Sequence, residues 1–125
     1  VEGFESEDQD RSISCRPDAL LLYNPVLDVP DSAIPGMVPT REMAEQISPV
    51  RYVDERTPPT LLLYGTDDTW AAGAAYVEKA KAAGCRAELY LADGQKHGFF
   101  NDAPWMERTL ERAEAFLISL GYISS

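Results

Sequence analysis

Three short apolar runs mark the chain, and each leads into turn-forming residues. They are ALLLYNPV at 19–26, TLLLY at 60–64 and AELYLA at 87–92. Apolar runs of four to eight residues bounded by glycine, proline or asparagine are typical of strands buried on both faces of a parallel sheet. The pattern therefore predicts three strands, of which the first two are expected to be buried.

Helical patterns separate these strands. Thr40 is expected to be the N-cap of a short helix through Gln46. Residues 70–84 consist largely of strong helix formers and finish at Gly84, which suits the left-handed position after a helix. Both segments are predicted to be helices.

The last helix is predicted to open at Asp102 and Pro104, because proline is favoured in a first helical turn. Its apolar positions recur at three- and four-residue steps, which predicts one buried stripe along its length. The predicted stripe consists of Met106, Leu110, Ala113, Leu117 and Leu120.

Strands that alternate with helices indicate a parallel sheet with helices on both faces, a three-layer α/β/α arrangement. Three strands make a small sheet, so the first strand is expected to present an unpaired apolar edge. Residues 1–18 are polar and acidic, and they predict a helix end followed by a loop.

Length and charge narrow the class of protein. The 125 residues suit one domain. The formal net charge of −10 argues against nucleic acid and anionic membranes as partners. No apolar run is long enough to span a bilayer, and no signal segment is recognised at Val1. The compartment stays open.

Cysteine and histidine usage argues against a metal site. Cys15 and Cys85 lie far apart in sequence, no CxxC occurs, and His97 is the sole histidine. Two free thiols are the expected state, with a disulfide left open. We expect no metal.

The main candidate chemistry is a carboxylate and an imidazole on successive strand-end loops. Asp68 follows the second predicted strand and His97 the third, and parallel strands bring such loops to one edge. An aspartate that accepts a hydrogen bond from one ring nitrogen fixes the histidine tautomer and stabilises the imidazolium. The alternatives are a surface histidine and a tandem Asp67–Asp68 pair that merely forms a turn or a helix cap.

The segments PPTLLLYGTDD and AELYLADGQKHGFFN resemble the C-terminal portion of the α/β-hydrolase superfamily. The likeness starts near Arg16, includes RPDALLLYNPVLD, and is strongest to small esterases of the acetyl-xylan-esterase-like or lipase-like kind. It implies a triad acid at Asp68, the last residue of G-T-x-D, and a triad histidine at His97, the first residue of H-G-F. Residues 1–18 would then hold the end of the nucleophile helix, and 19–125 the C-terminal part of the domain.

The nucleophile of that family has no counterpart in this sequence. The family uses a serine within G-x-S-x-G, and none of the eight glycines brackets a serine in that way. The resemblance thus covers only the C-terminal half of the fold, and the serine and the oxyanion hole would come from the missing N-terminal half.

The implied function is carboxylic ester hydrolysis through an acyl-enzyme, without a cofactor, on a small-molecule ester. Trp70 and Phe99 are candidates for substrate contact, with simple packing as the alternative for each. The isolated chain is expected to be inactive and to self-associate through its sheet edge. Two other interpretations stay open: a prolyl-oligopeptidase-type peptidase, and a truncated fragment that acts only as an interaction module.

Overall fold

The computed structural model describes residues 10, 12–29, 40–69 and 72–124. Strands, helices and 3₁₀ turns alternate along them. In chain order they are β1 (Leu20–Tyr23), α1 (Arg41–Gln46), a 3₁₀ turn (Pro49–Tyr52), β2 (Thr60–Gly65), α2 (Gly73–Ala82), β3 (Ala87–Ala92), a second 3₁₀ turn (Phe99–Asn101) and α3 (Trp105–Ser119). All three predicted strands and all three predicted helices are present.

The three strands form one parallel sheet in the order β1-β2-β3. Leu20 pairs with Thr60, and Thr60 pairs in turn with Ala87, so the carboxyl ends of the strands finish at a common edge. β2 is central and buried along its whole length. The two outer strands of the described sheet, β1 and β3, are only partly buried. The predicted burial of this first run on both faces is therefore wrong.

The alternating side chains of β2 supply a core on each face of the sheet. Leu62 and Tyr64 pack with Tyr76 and Ala80, two residues of α2. Leu61 and Leu63 point to the opposite face.

On the opposite face of the sheet, Leu61 and Leu63 pack with Ala113 and Phe116 of α3. A strand alternates its side chains between two faces, so one fully buried strand can pack against a helix on each side. The expected three-layer α/β/α arrangement is confirmed.

The buried face of α3 differs from the predicted stripe. Thr109, Ala113 and Phe116 are buried, whereas Met106 and Leu110 are 46% and 58% exposed. The face centred on the Phe116 ring is turned to the sheet, and this leaves the first two predicted positions on the outside. The prediction is wrong for Met106 and Leu110 and right for Ala113.

Two predicted helix ends have the expected geometry. The Thr40 hydroxyl accepts a hydrogen bond from the Met43 backbone N–H at 3.1 Å, as an N-cap does. Gly84 adopts a φ of +78° just after α2. α2 starts at Gly73 rather than at residue 70, and Trp70 lies outside the described residues.

Other expectations concern the start of the chain and the thiols. Residues 12–18 carry no helix, and the rest of the segment 1–18, apart from Asp10, lies outside the described residues. Cys15 is exposed and Cys85 is half-buried, with no disulfide between them. Within 10, 12–29, 40–69 and 72–124, no helix has the length and apolar character needed to cross a membrane.

Candidate active site

Three side chains from three neighbouring strands meet at the carboxyl edge of the sheet. Asn24 follows β1, Asp68 follows β2, and His97 lies on the loop after β3. The parallel register brings these strand ends level with one another, so the loops converge without any long side chain. The site is therefore a direct product of the sheet topology.

The predicted contact between Asp68 and His97 is present. Nδ1 of His97 lies 3.1 Å from Oδ2 of Asp68. The Asp68 side chain is fully buried, while 48% of the His97 side chain is exposed. With Nδ1 bonded to the carboxylate, Nε2 is the ring nitrogen left to exchange a proton with another molecule.

The neighbouring carboxylate, Asp67, points away from the site. Asp67 is exposed, and its backbone N–H donates to the Gln95 carbonyl at 2.9 Å. The Asp68 backbone N–H donates to Gly65 O at 3.2 Å, which closes a tight turn after β2. That turn directs Asp68 inward and Asp67 outward, so the predicted choice of Asp68 for the His97 contact is correct.

The first two residues of the GTDD motif fix the distance between the two loops. A Cβ atom at Gly65 would lie 2.0 Å from the Gln95 carbonyl oxygen, so only glycine fits there. The Thr66 hydroxyl accepts a hydrogen bond from the Gly94 N–H at 2.7 Å, and the Thr66 N–H donates to Ala92 O. These contacts bind the loop after β3 to the end of β2 just before His97.

The HGF motif anchors the far side of the same loop. Gly98 has a φ of +83°, a left-handed conformation that glycine adopts without a steric penalty. The chain then turns so that Phe99 is only 5% exposed. Its ring meets Phe100 and Trp105 edge-to-face at 5.9 and 5.8 Å. His97 therefore stands on a loop held at both ends.

Asn24 is a further member of this site, although its sequence position after the first strand suggests no more than a place at the pocket rim. It is 4% exposed and has a φ of +45°, unusual for a residue other than glycine. Its Nδ2 donates to Asp68 Oδ2 at 2.5 Å, and its Oδ1 accepts from the Gly98 N–H at 3.1 Å. The one available signal was an asparagine at the end of an apolar run, since asparagine tolerates left-handed backbone.

Tyr64 lies beneath the site. Its hydroxyl donates to the Pro25 carbonyl oxygen at 2.5 Å, which fixes the chain just after Asn24. Burial, and to a lesser extent the negative charge of Asp68, raise the pKa of the Tyr64 hydroxyl well above its ordinary value. Tyr64 therefore remains a neutral donor throughout the physiological range.

Solved structures of an esterase share this architecture. A propionate-bound structure of the thermophilic esterase Est2 from the planctomycete Thermogutta terrifontis matches with a TM-score of 0.81 and 28% identity, over 100% of this chain and 51% of that one. The same esterase phosphonylated by cyclosarin matches with a TM-score of 0.82 and 30% identity, over 97% and 48%. Its paraoxon-phosphorylated form gives 0.81 and 30%, over 97% and 47%.

The chain has the fold of the C-terminal half of an α/β-hydrolase. It spans about half the length of the esterase structures that it matches. No protein-family model matches the chain, and no curated protein matches it.

The substrate-contact residues remain predictions. Trp70 lies outside the described residues. Phe99 packs into the aromatic cluster beneath the His97 loop and offers little surface to a ligand. A small hollow of about 270 Å³ opens beside His97, lined by residues 94–99 and Asp102.

Among residues 10, 12–29, 40–69 and 72–124, no cluster of three or more His, Cys, Asp and Glu side chains is suitably placed for a metal ion. What the arrangement can do is orient an imidazole and stabilise its charged form.

Proposed function

We propose that this chain supplies the acid and the general base of a serine esterase that hydrolyses small carboxylic esters. One observation carries the proposal: the buried carboxylate of Asp68 contacts Nδ1 of the half-exposed His97 at 3.1 Å. That geometry leaves Nε2 directed away from the carboxylate, as a general base requires. The expected hydrolase pattern at GTDD and HGF supports the same roles.

In the proposed reaction, His97 Nε2 accepts the proton of a serine hydroxyl as the serine oxygen attacks the ester carbonyl. The imidazolium then gives that proton to the departing alkoxide, which leaves as an alcohol. A water molecule repeats both steps on the acyl-enzyme and releases the carboxylic acid. Asp68 remains a carboxylate throughout, because it holds the ring and stabilises its positive charge.

In this proposal, the serine and the oxyanion donors lie in the other half of the fold. This chain has no G-x-S-x-G segment, and the matching esterase is about twice its length. Structures of that esterase carry phosphonyl and phosphoryl groups from cyclosarin and paraoxon, or hold propionate. These neighbours support covalent acyl transfer with short acyl groups for the whole protein, and the proposal requires no cofactor.

A labelling experiment tests the proposal. The full open reading frame that encodes this chain is expressed beside the 125-residue chain, and both are treated with a serine-directed fluorophosphonate. We expect the longer protein to label once and to hydrolyse p-nitrophenyl acetate. The chain alone should do neither, because it lacks the nucleophile and the electrostatic stabilisation of the oxyanion.

Two results would contradict the proposal. Labelling of the short chain at one of its own serines would place the nucleophile within it. A longer protein that neither labels nor turns over an ester would favour a non-catalytic role. Turnover of a prolyl peptide in preference to the ester would replace esterase by peptidase, with the same Asp68 and His97 roles.

A further inference from the structure

Asn24 joins the acid to the loop that carries the base. Its amide nitrogen donates to Oδ2 of Asp68, the same oxygen that contacts His97 Nδ1. Its amide oxygen accepts from the backbone N–H of Gly98, the residue after His97. One planar side chain thus contacts both partners, from a position that is 4% exposed.

Few side chains meet these demands. The position needs one donor and one acceptor, and an amide provides both on one short planar group without a charge. It also needs a backbone φ of +45°, which asparagine tolerates better than longer residues do. Aspartate would set a second negative charge against Asp68, and glycine would fit the backbone but lose both contacts.

We propose that Asn24 is a positioning residue that holds the Asp68 side chain against Nδ1 of His97 and thereby maintains the Nδ1–H tautomer of His97. The inference deepens the proposed function, since that tautomer leaves Nε2 able to accept a proton. The geometry itself is testable without any activity, so the two proposals can fail separately.

His97 is the sole histidine of the chain, so its ring nitrogens are the only imidazole signals in a ¹⁵N NMR spectrum. The tautomer is determined from the ¹⁵N chemical shifts of the two ring nitrogens, at a pH at which the ring is neutral. We expect Nδ1–H to dominate in the wild-type chain and to lose most of its excess in Asn24→Gly. Asn101→Gly is the matched control, because Asn101 bonds Gly98 O on the same loop without a contact to Asp68. That control should keep the wild-type tautomer.

An exchange of side chains separates positioning from simple packing. In Asp68→Asn, the Asn24 donor should still turn the oxygen of residue 68 toward itself and His97, so Nδ1–H persists. In the double variant Asn24→Asp with Asp68→Asn, the carboxylate at position 24 accepts instead of donating. The amide of residue 68 should therefore turn its nitrogen, rather than its oxygen, toward residue 24 and His97. His97 Nδ1 must then accept, and the tautomer should invert to Nε2–H.

The same tautomer in the single and double variants would overturn the proposal, as would an Asn24→Gly chain with the wild-type tautomer. Should these variants fail to fold, the wild-type chain decides. The Asn24 side-chain amide protons must exchange slowly with water and show a nuclear Overhauser effect to the His97 ring. Fast exchange without that contact would refute the proposed role.

Discussion

Several residues of the site shape the backbone of its loops, and they are as important to the geometry as the side chains of Asp68 and His97. Gly65 allows the two loops to touch, Thr66 bonds them together, and Gly98 turns the chain after His97. Asp68 and His97 were predictable, because loops that follow neighbouring parallel strands must converge. Asn24 was not, because its left-handed backbone and its two amide contacts depend on how the three loops meet.

Gly65→Ala should destabilise the chain markedly. The added Cβ meets the Gln95 carbonyl at 2.0 Å, so the loop before His97 must move. We expect a loss of about 1–3 kcal/mol in the free energy of unfolding, measured with urea, together with a changed His97 NMR signal. Gly84→Ala is the control variant. A Cβ atom at Gly84 would have open space around it, so the only cost is the strain of a φ of +78°. Equal losses with an unchanged His97 signal would show that the close approach is absent.

Tyr64→Phe should weaken the fold by about 1 kcal/mol at neutral pH, because the Pro25 carbonyl loses its donor. Since the pKa of Tyr64 is raised in the folded state, the folded chain keeps a proton that the unfolded chain releases above about pH 10. Wild-type stability should therefore fall as the pH rises beyond that value.

The fall should be shallower in Tyr64→Phe, and some should remain because burial also raises the pKa of Tyr23. Urea unfolding at a series of alkaline pH values measures both slopes. Identical slopes for wild type and variant would mean that Tyr64 ionises as readily in the folded chain as in the unfolded one.

At the scale of elements, the existence and type of each strand and helix follow from the sequence, while faces and ends depend on packing. The strand at 87–92 has its predicted bounds, but β1 stops at Tyr23 because Asn24 leaves the extended conformation. The face of α3 was mispredicted because periodicity marks several overlapping apolar rows on one helix. Contact with the sheet selects the row that includes the Phe116 ring.

A pair of substitutions in α3 tests this orientation in the 125-residue chain. Phe116→Ala should cost about 3–5 kcal/mol, because a fully buried ring is removed from the core. Leu110→Lys should change stability by less than about 0.5 kcal/mol, because that side chain is 58% exposed. Urea unfolding gives both values, and a large loss for Leu110→Lys would restore the predicted stripe as the buried face.

At the scale of the whole molecule, β3 is one edge strand of the sheet within the described residues, and β1 is the other. An apolar groove of about 590 Å³ runs beside it, lined in part by Leu20, Leu22, Ile47, Tyr52 and Val53. Unpaired strand edges and uncovered apolar surface favour contact with other chains. The sequence anticipated this edge from the number of strands, but not the groove, which depends on the placement of α1 and the first 3₁₀ turn.

The isolated chain should accordingly self-associate at micromolar concentration. Burial of a few hundred Å² of apolar surface contributes several kcal/mol at about 25 cal/mol per Å². Sedimentation equilibrium should show dimers or larger species, and Leu20→Lys should shift the distribution toward monomer, since a charge at the edge opposes pairing. A monomeric wild-type chain would show that the edge is not adhesive.

The central claim is that Asp68 orients His97 and that His97 acts as the general base and then the general acid in ester hydrolysis. It is tested most directly by kcat for p-nitrophenyl acetate in the protein made from the full open reading frame. We predict that His97→Ala and Asp68→Ala each lower kcat roughly 10⁴-fold or more, while Asp67→Ala, beside the site but directed outward, leaves it within a few-fold. Equal losses for the two aspartate variants, or turnover indifferent to His97→Ala, would contradict the account.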